Sequence, residues 1–254
     1  FSKLQDKASN ATLDDVKEAF SVEKMSGDFF REYKEHYQDF VEFLTGKRLE
    51  KVAGKWEEVV KKAPDTQLIS IFNGNEKDVR DFCKKLLGRI VFLYFIQKKG
   101  WLGVPVTDDW GKGNYNYLSG LFNNCRNPAI FYSEYLSKLF FDTLNQQRPQ
   151  DAIEIIPGEP CRIPYLNGGL FEEDDQNYRN LVLEANLFKR LFEFFDQYNF
   201  TIYEDDPNDH TVAVDPEMLG HIFENLLEDN KDKGAFYTPK EIVHYMCQES
   251  LLLY

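Results

Sequence analysis

Ten residues near the C-terminus concentrate the groups able to do binding chemistry: Gly234-Ala235-Phe236-Tyr237-Thr238-Pro239-Lys240-Glu241-Ile242-Val243. Phe236 and Tyr237 are adjacent large aromatics on a stretch that reads as a loop. Thr238 is a good helix N-cap, Pro239 suits the first helical position, and Glu241 lies three residues after the cap, as in a capping box. The free N–H groups and the dipole of such a helix start favour a carboxylate or a phosphate. The same residues also read as nothing more than a well-capped core helix, with Ile242, Val243, Met246, Cys247, Ser250 and Leu253 on one face.

Other familiar chemistries find no support in the spacing. His36, His210, His221 and His244 form no H-E-x-x-H or related ligand pattern. Cys83, Cys125, Cys161 and Cys247 include no C-x-x-C pair and read as reduced, buried thiols of a cytoplasmic protein. Gly111-Lys112-Gly113 lacks the spacing of a phosphate loop and reads as turn chemistry. Glu172-Glu173-Asp174-Asp175 reads as a solvated acidic loop, because no ligand spacing supports a metal site. No nucleophile–base pair is visible, which argues against an independent hydrolase.

The 254 residues carry 30 Lys+Arg against 43 Asp+Glu, a net charge of −13. That balance argues against nucleic-acid binding through the overall field, while leaving room for a local basic face. Residues 47–62 are such a candidate, with Lys47, Arg48, Lys51, Lys55, Lys61 and Lys62 against Glu50, Glu57 and Glu58. The mixed signs make a solvated helix face the expected structure, and a DNA-backbone contact the alternative. The sequence reads as carrying no secretory leader, and it holds no apolar run long enough for a membrane span. It starts at Phe1 and ends on Leu251-Leu252-Leu253-Tyr254, which reads as a piece of a longer polypeptide.

The expected fold is mainly α, a helical bundle-like domain with a small β-hairpin and short strands in the C-terminal half. Residues 12–45 read as two helices broken at Ser26-Gly27. Residues 76–99 give the strongest helix, with Val79, Phe82, Cys83, Leu86, Leu87, Ile90, Val91 and Tyr94 on one stripe. Residues 101–120 read as a glycine-rich loop, and Asn127-Pro128 starts a further helix. Ala152–Ile156 reads as a short strand and residues 185–198 as a helix. Phe200–Tyr203 and Thr211–Val214 read as a hairpin around Asp205–Asp209. Asp215-Pro216 opens a helix with Leu219, Ile222, Phe223, Leu226 and Leu227 on its buried face. The 22 Phe and 14 Tyr imply a core rich in rings.

Asp215-Pro216-Glu217-Met218-Leu219-Gly220-His221-Ile222-Phe223-Glu224, then Lys233-Gly234-Ala235-Phe236-Tyr237-Thr238-Pro239, then Ile242-Val243-His244-Tyr245-Met246, resembles the entry into adenine-N6 DNA methyltransferases. The pattern is nearest to the single-chain type IIG restriction-modification enzymes and the type I modification subunits. Ile163-Pro164-Tyr165-Leu166-Asn167-Gly168-Gly169-Leu170-Phe171 and the helix around Lys84–Leu102 are similar to that group as well. In the family the F-Y-T-P segment is motif ten, part of the S-adenosylmethionine pocket. The resemblance implies that Phe236 and Tyr237 pack beside the methionine part of the cofactor. It also implies that Thr238, Pro239 and the helix N-terminus meet the cofactor's carboxylate.

The departures from the family are equally informative. The D-P-x-C-G-S-G-type turn and the catalytic N-P-P-[YF] are absent, and Asn127-Pro128-Ala129 does not fit the latter. Pro64-Asp65 with Glu76-Lys77-Asp78 lacks the E-x-K of a nuclease signature. The expectation is therefore a connector. Residues 1–145 would form a helical connector domain, 146–214 a mixed segment, and 215–254 the helical entry into a methyltransferase domain lying beyond Tyr254. Any nuclease domain would precede the chain, DNA would be the partner of the whole enzyme, and no catalytic residue is expected in this stretch. The alternative is a helical protein-interaction scaffold without a cofactor, which leaves the aromatic pair without a task.

Overall fold

The structure, a computed structural model, describes residues 22–166, 168–200, 213–214 and 240–252. It is mainly α, and one long helix organises it. Asn75 accepts a hydrogen bond from the Lys77 amide (3.0 Å) and opens α2, Glu76–Lys98, after α1 at Val22–Thr45. From Leu86 through Gln97 every α2 side chain except Phe92 is buried. Each fully buried Leu or Ile contributes about 1.5–3 kcal/mol, so this apolar run holds the helix at the centre. The helix stops where Gly100 takes a positive φ of 68°, as the Lys98-Lys99-Gly100 sequence predicts.

Rings fill the core around α2. Phe29 of α1 lies 5.1 Å from Phe194 and 4.9 Å, edge-on, from Tyr198. Phe194 belongs to α4, Ala185–Phe195, which follows α3, Tyr117–Asn124. Tyr94 lies 4.8 Å from Phe195 and 5.0 Å from Phe200. Tilted and edge-on pairs of this kind add about 0.5–1.5 kcal/mol each beyond their buried area. One buried cluster joins residues from Phe29 to Val214.

Asn127 accepts from the Ala129 amide at 3.1 Å and starts a helix at Pro128, as expected. The helix widens to π geometry over Phe131–Leu136 and Lys138–Leu144. Ser137 and Thr143 hydroxyls donate to the carbonyls five residues back, Tyr132 (3.0 Å) and Lys138 (2.9 Å), matching that wider spacing.

Several elements differ from expectation. α1 runs unbroken through Ser26-Gly27, because an interior glycine costs a helix only about 1 kcal/mol. Residues 47–62 hold no helix: β1, Lys47–Val52, and β2, Lys55–Val60, pair antiparallel with Lys51 opposite Trp56. Ala53 (φ 49°) and Gly54 (φ 87°) make the two-residue turn, both with the positive φ of a primed hairpin. β3, Ala152–Ile153, pairs antiparallel with β4, Cys161–Arg162. β5, Asn199–Phe200, and β6, Ala213–Val214, pair parallel, so they are not the two arms of a hairpin. Parallel partners require the chain to return to the same end between them. The glycine-rich loop closes at Tyr117, where α3 begins.

Candidate functional site

Phe236, Tyr237, Thr238 and Pro239 lie outside the described residues, as does the Asp215–Leu227 helix reading. The structure describes the chain on either side of them. Upstream, Val214 is 1% exposed and pairs with Phe200 against the ring core. Downstream, α5 spans Lys240–Leu252, beginning directly after Pro239. Its apolar stripe does not face inward. Ile242, Val243 and Met246 are exposed, as are Tyr245 and Leu251, and so are the expected stripe members Cys247 and Ser250. The well-capped core helix is thus a helix without a core against its described side chains.

A polar tie lies next to the point where β5 leaves the core. Ser119 Oγ donates to Asp196 at 2.8 Å, and the Tyr94 hydroxyl donates to Asp196 at 3.0 Å. Burial pushes the Tyr94 phenol far up, and the Asp196 carboxylate adds to that. With no histidine or lysine at the serine, the arrangement does not make a nucleophile. It fastens α3 and α4 to α2. A small cavity of about 110 Å³, bordered by Tyr94, Asn116, Asp196 and Tyr198, opens beside it.

A larger cavity, about 470 Å³, lies between the glycine-rich loop and the 163–171 stretch. Trp101, Trp110, Gln147, Arg148, Asp151 and Tyr165 line it. Arg162 lies over the Trp110 ring at 4.5 Å while donating to the Asp108 carbonyl at 2.7 Å. Arg148 donates to the carbonyl of Ile163 at 2.7 Å, and burial lowers its pKa. Gly113 is required nearby, since an added Cβ would sit 2.4 Å from the Leu102 carbonyl oxygen. The walls thus combine ring faces with an amide and a carboxylate. No signal in the sequence brings Trp101 and Trp110 of the glycine-rich loop together with Tyr165, because the two segments lie far apart in the chain.

One arginine of the central helix hydrogen-bonds the 163–171 stretch. Arg89, 3% exposed, donates through Nε to the Leu170 carbonyl (2.7 Å) and through its terminal nitrogen to the Glu172 carbonyl (2.6 Å). The neighbouring acids are committed elsewhere: Glu173 to Arg179, Asp174 to Lys85, and Asp175 to capping the turn at Asn177. Among the described residues no group of His, Cys, Asp and Glu could hold a metal ion. Cys83 and Cys125 are buried and burial raises both thiols, but Cys161 is half-buried and Cys247 exposed, so burial does not explain all four. No described helix is long and apolar enough to cross a membrane.

Residues 47–62 also look different in three dimensions. Most of their acids are paired at the base of the β1–β2 hairpin, and Lys51, Lys55 and Trp56 stand at its tip. Neither strand, K-R-L-E-K-V or K-W-E-E-V-V, alternates apolar with polar residues, so the hairpin carries no period-two signal.

The chain is 25% identical over 241 residues to a Methanocaldococcus jannaschii protein provisionally named a type II restriction enzyme and methyltransferase. The match covers 90% of this chain and 19% of that protein, so the chain spans about a fifth of its relative's length. No family model matches the chain, and no solved structure matches it. The chain is thus a distant relative of a restriction-modification protein.

Proposed function

We propose that this chain is the helical connector of a restriction-modification enzyme that transfers a methyl group from S-adenosylmethionine to adenine N6 in DNA. Residues 1–145 serve as the connector, 146–214 as the mixed segment behind it, and 215–254 as the entry into the methyltransferase domain. The connector spaces the catalytic domain from a nuclease domain and supplies one wall of the cofactor site. The observation that carries the reading is the coincidence of two facts. Similarity to a protein named for both activities runs along 90% of the chain. In the same chain, F-Y-T-P immediately precedes α5.

The residues suit the cofactor chemically. S-adenosylmethionine supplies an electrophilic methyl on a sulfonium and presents an amino-acid carboxylate. A helix start at Thr238-Pro239 would offer unpaired N–H groups to that carboxylate, and Phe236 and Tyr237 would offer apolar ring surface to the methionine chain. The target adenine would be flipped out of the duplex into the catalytic domain. No residue here is assigned to proton transfer or to attack.

The test is calorimetric titration of S-adenosylmethionine into the natural protein, with Tyr237→Ala and Thr238→Ala compared. Binding should weaken at least several-fold while the melting temperature holds. Unchanged affinity in both variants would remove these residues from the cofactor site. The 254 residues alone should transfer no methyl group to adenine. The exposed apolar side of α5 favours a second reading, a helical scaffold for another protein, in which the natural protein binds no S-adenosylmethionine at all.

A further inference from the structure

The β1–β2 hairpin separates its charges by position. At its base, Lys61 and Lys62 amides donate to the Gly46 carbonyl at 2.8 and 3.2 Å. Arg48 bridges to Asp39 (2.7 Å), Glu42 (2.9 Å) and Glu35 (2.5 Å) on α1. Lys47 pairs with Glu76, Glu58 with Arg80, and Glu50 with Lys61, at 2.7, 2.9 and 2.7 Å. These pairs use two of the three hairpin acids, leaving Glu57. At the tip, Lys51 and Lys55 have no ion-pair partner among the described residues, and both are exposed. Trp56 is 60% exposed beside Lys51, with the Lys34 ammonium 5.0 Å above its ring.

A solvated hairpin needs neither a large exposed indole nor unpaired lysines at its end. A two-stranded ribbon with no third strand is marginal in water, and here the ion pairs to α1 and α2 clamp its base. What the clamp holds outward is a cationic, aromatic tip on a chain of net charge −13. The net charge repels a polyanion, so a local cationic tip favours its approach at this point. Six residues per strand reach about 20 Å, and the DNA major groove admits a two-stranded ribbon.

We propose that the tip of this hairpin is a contact for duplex DNA, with Lys51, Lys55 and Lys34 on phosphates and Trp56 against the groove wall. This rests on the restriction-modification reading for the presence of DNA, and not on the cofactor assignment.

The experiment titrates a fluorescein-labelled duplex of roughly 25 base pairs with the natural protein at several salt concentrations, following anisotropy. Each phosphate neutralised contributes about 0.9 to the slope of log K against log salt. Lys51→Ala/Lys55→Ala should therefore flatten the slope by about 2 and weaken binding roughly 10–100-fold near 0.1 M salt. Trp56→Ala should weaken binding with the slope unchanged. Lys112→Ala/Lys189→Ala removes the same charge elsewhere and should leave both quantities alone. An unchanged slope in the tip variant, or an equal change in the control, overturns the proposal. So does a loss seen on single-stranded RNA of the same length but not on duplex DNA. S-adenosylmethionine binding measured on the same samples reports separately on the cofactor site and should not move.

Discussion

Arg89 holds the Leu170 carbonyl at 2.7 Å across a sequence separation of 81 residues. The same guanidinium reaches Glu172 and lies 5.2 Å from the Phe141 ring centre, so one side chain joins the central helix, the π-widened helix and the 163–171 stretch. Two carbonyls facing one planar fork is a geometry that arginine meets and lysine does not. Replacing Arg89 with Met keeps much of the volume but leaves both carbonyls without a donor. The expected loss is about 2–3 kcal/mol. In a chain of this size that lowers the melting temperature by roughly 5–10 °C. Arg89→Lys should fall between the two. Thermal melting followed by circular dichroism decides it, and a shift within about 1 °C for Arg89→Met would show that Arg89 does not pin the stretch.

The Ala53-Gly54 turn makes a stabilising substitution available. Ala53 sits at φ 49°, a region that an alanine occupies at a cost and that asparagine tolerates. Ala53→Asn converts the turn to the Asn-Gly pair preferred at two-residue hairpins and should add about 0.5–1 kcal/mol. Gly54→Val, at φ 87°, should cost more than that. Denaturant unfolding of the three proteins measures both signs. A destabilised Ala53→Asn would mean that the primed turn is absent.

Those two cases show what the sequence could and could not reveal. The α2 stripe from Val79 to Tyr94 was legible because one face of a long helix repeats every turn, and all eight of its members are buried. The Asn127 start was legible because its cap is a local contact. The β1–β2 hairpin was hidden because its turn lacks Asn-Gly and its strands carry lysine and glutamate, which read as a helix face. What makes it a hairpin is distant: Arg48 pairing with α1 and Lys47 with Glu76. The parallel pairing of Phe200 with Val214 depends on a return path that spacing does not specify. The cavity of Trp101, Trp110 and Tyr165 depends on two loops distant in the chain meeting. The helix read after F-Y-T-P is present as α5, but the exposure of Ile242 and Met246 was not foreseen.

His36 supplies a pH dependence. Its ring is nearly buried, 4.9 Å from Phe194 of α4. Burial lowers its pKa most, Asp39 and Glu35 on its own helix oppose that, and Arg190 on α4 adds to it. In the unfolded chain the imidazole takes up its proton near pH 6.5. The folded protein resists that proton, so the unfolded state binds more of it as pH falls below about 6.5, and stability declines there. The loss levels off once pH passes below the depressed folded value. His36→Phe keeps a ring against Phe194 and cannot be protonated. Its stability relative to the parent should therefore improve between pH 7.5 and pH 5, measured as the difference in urea-unfolding free energy. Carboxylates elsewhere titrate alike in both proteins and cancel in that difference. A difference that stays constant across the range would mean that His36 is as easily protonated in the fold as in water.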